Sequence, residues 1–346
     1  MRMNKLPTLG KERRLAQLVV ASLGVISILG SGGGIGDLYC FDACIDLPPP
    51  SPAAFITPQR MTVQVGAAAT FTANVTSFAT PGSVSLQWCR MPKGAASCTD
   101  IAGATDRTLT WPNATLGDDG TQFQLKVTDA NGTSQAHSIL AVSSAPGVVF
   151  ADANFAEADW SVTAVIDPAQ SGATHSESQA TTGGNPGAFR SVTYVMPQTP
   201  ASVRLFHTSI SGEYDPAAQG AIYVIDFAMD CARLAFEGVN QVPSVIGMIE
   251  QGGRRYIPAS DRFGWESYCS PQSNWETALP LSSVSAGEFT LTDGPACGPA
   301  EACPDFSSQA APIRVGFRSS AVVISGTSPG SVVQGIDNWK VTVWRR

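Results

Sequence analysis

Residues 326–330 read Gly-Thr-Ser-Pro-Gly, a literal match to the Gly-x-Ser-x-Gly pattern in which a serine nucleophile rides a tight turn from a strand into a helix. A strand-like run, VVIS, precedes it, but Pro329 and the β-like SVVQ follow, so the segment reads as a loop between strands and carries no nucleophile. Glycoside hydrolysis would need two carboxylates about 5 to 9.5 Å apart across the scissile bond. The acids here are scattered, with no Glu-x-Asp-x-x-Glu strand.

The densest mixture of rings and hydrogen-bonding groups runs from Arg254 to Trp275. Sugars are held by stacking on aromatic faces with polar groups beside them. Tyr256, Trp265, Tyr268 and Trp275, with Arg262 and Glu266, are therefore the candidate ligand-binding residues. The same aromatics would equally fill a sandwich core, and the sequence leaves both readings open. Hard cations want several oxygen ligands, and Asp152, Asp159, Asp226, Asp230 and Asp337 are the best acidic candidates in the second half.

The eight cysteines fall as four neighbouring couples: Cys40 with Cys44, Cys89 with Cys98, Cys231 with Cys269, and Cys297 with Cys303. An even count in an exported chain favours disulfides, and the short separations favour sequential pairing. Zinc would need Cys/His clusters at ligand spacing. His137, His175 and His207 lie far apart and there is no Cys-x-x-Cys.

Export itself is read from the first thirty residues. Arg2, Lys5, Lys11, Arg13 and Arg14 precede an apolar run from Leu18 to Gly30, and small residues follow. The run falls short of the roughly twenty residues that span a bilayer, so residues 1–30 read as a secretory signal peptide. Ser31 stands where a lipoprotein would place its lipidated cysteine. Membrane attachment is expected only through a retained N-terminal anchor. Removal of the signal takes the formal charge from −7 to −11 and leaves Lys93, Lys126 and Lys340 as the only lysines, which argues against a phosphate-binding surface and hence against nucleic acid.

The elements that must position these groups are strands. Of 346 residues, 33 are Gly and 24 Pro while only 14% are charged, a pattern of short strands and turns and not of long helices. Residues 31–54 form a Gly/Pro-rich linker. Between 55 and 145 short alternating runs (MTVQV, ATFTANV, SVSLQW, RTLTW, TQFQLKV, HSILAV) are broken by turn residues, the pattern of a two-sheet sandwich. Alternation places Phe71, Ala73 and Val75 on one face, and Leu86 with Trp88 on one face of the next strand. A Ser-Ala-Pro-Gly hinge around Ala145–Gly147 leads into residues 146–346, again all strands.

The first of these regions resembles bacterial immunoglobulin-like domains. The likeness is carried by VQVGAAATF (Val63 to Phe71), Trp88, IAGATDRTLTW (Ile101 to Trp111) and LGDDGTQFQLKVTDANG (Leu116 to Gly132), with Asp118, Gly120, Phe123 and Leu125 at the places of the corner motif. Phe123 replaces the corner tyrosine, and Ala73 and Leu125 replace the cross-sheet cysteines, so a Cys89–Cys98 staple worth about 3 kcal/mol would compensate.

The ends of the second region, DANFAEADWSVT with GGNPGAFRSVTY and QGIDNWKVTVW, resemble the first and last strands of jelly-roll sandwiches, the plan of carbohydrate-binding modules and concanavalin-like lectins. That resemblance implies a structural calcium ion held by Asp152, Glu157 and Asp337, the one cofactor expected. The fold class is accordingly all-β: an immunoglobulin-like sandwich plus a larger jelly-roll-type sandwich. The function expected is a non-catalytic binding or adhesion protein, secreted or held in the periplasm or at the surface of a bacterium. Its partner would be an extracellular glycan or a surface protein, met through the second sandwich while the first spaces it from the envelope. The alternatives are a structural component of an extracellular or envelope assembly and a divergent glycosidase.

Overall fold

The computed structural model describes residues 50–77, 83–238, 243–259, 267–269, 274–292, 294, 297–298, 303–323 and 329–346. The expected signal peptide, most of the linker, the Cys40/Cys44 couple, Arg262, Trp265, Glu266 and Ser328 lie outside those residues. Residues Pro49–Arg346 make one compact unit, and the protein is all-β, as expected.

The first sandwich comprises β1 (Ala53–Thr57), β2 (Arg60–Gln64), β3 (Ala69–Thr76), β4 (Ser85–Met91), β5 (Thr99–Asp100), β6 (Thr108–Trp111), β7 (Thr121–Asp129) and β8 (Gly132–Ser143). A three-stranded sheet, β1-β3-β6, faces a five-stranded sheet, β2-β8-β7-β4-β5, and β2 runs parallel to β8. Strict alternation builds the core: Ala69, Phe71 and Ala73 point inward from β3, and Thr121, Phe123, Leu125 and Val127 from β7. Trp88 is fully buried opposite Leu125, and its indole donates to the Asp106 carbonyl at 2.8 Å. Phe123 occupies the corner by packing alone, 5.2 Å from Phe71 and 5.3 Å from Trp111 between ring centres. Cys89 and Cys98 are bonded across the turn after the tryptophan strand, with Cα atoms 5.6 Å apart.

The second sandwich is larger. Its strands are β9 (Val148–Asp152), β10 (Trp160–Asp167), β11 (Thr174–Gly184), β12 (Gly187–Met196), β13 (Ala201–Tyr214), β14 (Ile222–Glu237), β15 (Ser244–Gln251), β16 (Arg254–Pro258), β17 (Ser267–Tyr268), β18 (Glu276–Val284), β19 (Phe289–Leu291), β20 (Ile313–Val323) and β21 (Gly330–Arg345). One sheet runs β10-β13-β20-β15-β16-β19 with β17 on β15; the other runs β11-β12-β21-β14-β18 with β9 on β21. Trp160, Phe317 and Trp339 meet edge-on between the sheets, with ring centres about 5 Å apart. Phe227 presses on Gly247, where a β-carbon would stand 2.2 Å from the ring. The Cys231–Cys269 disulfide lies wholly inside this core and ties β14 of one sheet to the residue after β17 of the other. The second sandwich thus has the cross-sheet staple that the first lacks. Cys297 and Cys303 are also paired.

Candidate functional site

At the middle of β14 and β21, alternation sends Cys231 and Ile336 into the core and their neighbours to the outer face of the sheet. The register runs Ala228 opposite Lys340 and then Asp230 opposite Asp337, so β21 carries one residue more than β14 here. The extra residue is a bulge at Asn338, whose φ is 50°. It lets Asp337 face outward while Trp339 still faces the core.

The turn between β11 and β12 folds over this pair. Asn185 N donates to Asp337 Oδ2 at 2.5 Å and Asn338 N to Asp337 Oδ1 at 2.7 Å. The side-chain amides of Asn185 and Asn338 both donate to Asp230 Oδ2, at 3.1 and 2.7 Å. Gly184 is required for this closure, because a β-carbon there would stand 2.6 Å from Asp337 Oδ2 and 2.8 Å from a backbone carbonyl. Asp337 is fully buried and Asp230 nearly so, whereas Asn185 is exposed and Asn338 half-buried. Burial raises the Asp337 pKa above the usual carboxylate range, and the charges of Asp230 and Asp152 add to it, against the bonds from the two backbone N–H groups.

Trp275 joins the same turn. Its Nε1 donates to the Gly183 carbonyl at 3.0 Å, its ring meets Phe189 edge-on at 5.3 Å, and it lies on Gly335, where a β-carbon would be 2.6 Å from Cη2. The side chain is half-buried, so one part of the ring is fixed and the rest faces solvent. Of the two expected ligand-binding side chains that the structure describes, Tyr256 and Trp275, it is Trp275 that lies at the surface beside convergent polar groups. Tyr256 belongs elsewhere. It sits opposite Ile249 at 3% exposure within the main core, while alternation along β16 puts Arg255 and Ile257 on the other face of the sheet, where Ile257 is buried against Phe206, Ile246 and Met248, so the Tyr256 ring offers no platform to a ligand. Tyr268 pairs with Ser244 on β15.

The three expected calcium ligands do not converge. Asp152 accepts from Asn154 N, Phe155 N and Trp160 Nε1 at 2.7 to 2.9 Å. Glu157 accepts from Gln179 N at 2.5 Å and from the buried Arg190 at 2.7 Å. With Asp337 filled by backbone N–H groups, each acid already has its donors. Among the described residues no group of three or more Asp, Glu, His or Cys side chains is placed to hold a metal ion. Asp152 closes the turn before β10, and Glu157 answers Arg190.

A serine and a histidine do meet, in the wrong place for chemistry. Ser319 Oγ lies 3.1 Å from His207 Nε2 and 2.7 Å from the Tyr194 hydroxyl. All three are fully buried between the sheets. Burial, then the charge of Arg190, holds the His207 pKa well below its ordinary value, and its ring stacks on Phe317 at 4.4 Å. Gln334 extends this network to the Ser244 carbonyl and Cys269. It is a polar node enclosed by the core, in which His207 Nδ1 is buried without a hydrogen-bond partner. The carboxylate pair Asp230–Asp337 is equally closed to substrate.

No protein-family model matches the chain, and no curated protein matches it. Solved structures do. The N-terminal four immunoglobulin domains of Dscam1 isoform 6.9 match at 21% identity over 26% of this chain and 20% of that chain, with a TM-score of 0.22. The N-terminal eight immunoglobulin domains of DSCAM isoform 1.30.30 match at 16% identity over 46% and 25% of the two chains, with a TM-score of 0.23. The human B7-H4 IgV-like domain matches at 12% identity over 26% and 96%, with a TM-score of 0.20. The match spans about a fifth to a quarter of the length of the Dscam chains.

Proposed function

We propose that this is an exported, non-catalytic binding protein that recognises carbohydrate on the outer face of the β11-β12-β21-β14-β18 sheet. The observation that carries the reading is the half-exposed ring of Trp275, locked by Gly183 and Gly335 beside the amides of Asn185 and Asn338. A pyranose offers an apolar C–H face for such a ring and hydroxyls for such amides. The buried acids act underneath by fixing the amides in place, so that less rotamer entropy is lost on binding. Three disulfides support an oxidising compartment, periplasmic, surface or secreted. The likeness of the strand ends to jelly-roll lectins supports the same ligand class.

The test is a glycan array probed with the wild type, Trp275→Ala and Asn185→Ala. Retention of a defined set of glycans by the wild type, lost in the first variant and weakened in the second, is expected. A wild type that retains no glycan, or variants that bind as it does, would overturn the assignment in favour of a protein partner.

A further inference from the structure

Among the described residues the two sandwiches keep separate apolar cores and meet through polar side chains. Thr62 of β2 places its Oγ1 3.2 Å from Asp226 Oδ1 on β14 and 2.7 Å from Ser283 Oγ on β18. Asp226 is also held from its own side, by Ser283 N at 2.6 Å and Trp344 Nε1 at 2.7 Å. Around this centre, Arg60 pairs with Glu288 at 2.6 Å, Tyr223 donates to Asp119, and Ser143 donates to the Arg345 carbonyl at 2.6 Å. Arg345 in turn donates to the carbonyl of Pro146, at 3.2 Å from Nε and 3.0 Å from Nη2, so the connection between the sandwiches is itself gripped by the last strand.

Relative motion is the default for two domains on a short linker, and a surface ion pair alone would not prevent it. Here, however, Thr62 is 8% and Ser283 1% exposed. Each hydroxyl answers a partner that separation would have to return to water, and the bonds come from three separate parts of the first sandwich: β2, the Asp119 corner and the end of β8. Such contacts resist rotation about any single one of them.

We infer that the immunoglobulin-like domain is bolted to the second sandwich through Thr62, Asp226 and Ser283 and works as a fixed wall beside the binding face, not as a mobile spacer. Asp226 and Asp230 lie on the same face of β14 four residues apart, about 13 Å at the usual strand rise. The first domain therefore stands next to the Asp230–Asp337 turn, and a ligand longer than one or two sugar units would meet it. The bolt stands on its own contacts whether or not the ligand is carbohydrate.

The test uses the full chain, as the wild type, as Thr62→Val with Arg60→Gln, and as Tyr223→Phe. Thr110→Val, which breaks only the exposed Thr70–Thr110 contact, is the control. The wild type and the control are expected to unfold in one calorimetric transition and to give one small-angle scattering profile at low and high salt. The double variant should split the transition, enlarge the radius of gyration and speed proteolysis at residues 144–147 by about tenfold, the effect of losing one or two buried hydrogen bonds. Tyr223→Phe should move the same readouts less. Two transitions and a salt-dependent profile in the wild type, or a double variant indistinguishable from the control, would overturn the inference.

Discussion

The indole of Trp275 rests on Gly335, close enough that a β-carbon would stand 2.6 Å from Cη2 and 3.1 Å from Cζ2. Gly335→Ala therefore keeps every polar group of the site while forcing the ring to move. The ring is at the surface and can yield, so the stability cost should be about 1–3 kcal/mol, read by urea unfolding. Affinity for a glycan retained by the wild type should fall about tenfold or more, the effect of a displaced aromatic anchor. Unchanged affinity would show that the position of the ring is irrelevant to recognition.

Asp337 predicts a pH dependence. Its folded pKa is raised by burial and by Asp230 and Asp152, so the folded chain binds more protons than the unfolded one from about pH 3.9 up to the raised value. The stability contribution of this group is full below that window and declines as pH rises through it. Asp337→Asn should remove this part of the slope while costing about 1–3 kcal/mol, because one backbone N–H then faces an amide NH2. Urea midpoints of both proteins across the acid range would check it; parallel curves would refute the role of the carboxylate.

Cys231 and Cys269 enclose a sequence separation of 38, for which chain entropy gives about 4 kcal/mol. Replacing both by Ser should lower the unfolding free energy by about that amount. The equivalent change at Cys89 and Cys98, separated by 9, should cost less, about 3 kcal/mol. Equal losses would point to packing of the sulfurs and not to chain restraint.

Much of the fold is legible in the sequence because period-two alternation is a local signal: Phe71 with Ala73 and Leu86 with Trp88 lie where alternation puts them, and short cysteine separations identified the three pairs seen. The site is less legible. Whether Tyr256 or Arg255 faces the core depends on the register of β16 with β15, which no short stretch reveals. Asp337 stands in the sequence simply as an acid, and its role depends on the bulge at Asn338 and on a turn more than a hundred residues away. Asn185 is legible only as part of GGNPGAFRSVTY, a stretch that does not show what its turn covers. The same long-range dependence hid the partnership of Thr62 with Asp226, since two polar residues on different sandwiches carry no pattern at all.

Asp118 gives the opposite pH response to Asp337. It is 5% exposed and accepts from Thr115 N at 2.8 Å, Thr115 Oγ1 at 2.7 Å and Arg90 at 2.5 Å, with the Arg90 guanidinium 4.9 Å above the Trp111 ring. Burial alone would raise its pKa, but the Thr115 bonds and the Arg90 charge outweigh that and hold it below the ordinary value. Its stabilisation is thus present above the unfolded pKa and lost as pH falls through the folded one. Asp118→Asn should destabilise the protein by about 2 kcal/mol near neutrality, where a buried charged hydrogen bond is lost. The gap from the wild type should then close in acid, as the wild-type carboxyl takes up its proton. Unfolding midpoints followed across that range decide the matter: a gap that stays constant would mean that shape, and not charge, is what Asp118 contributes at the corner.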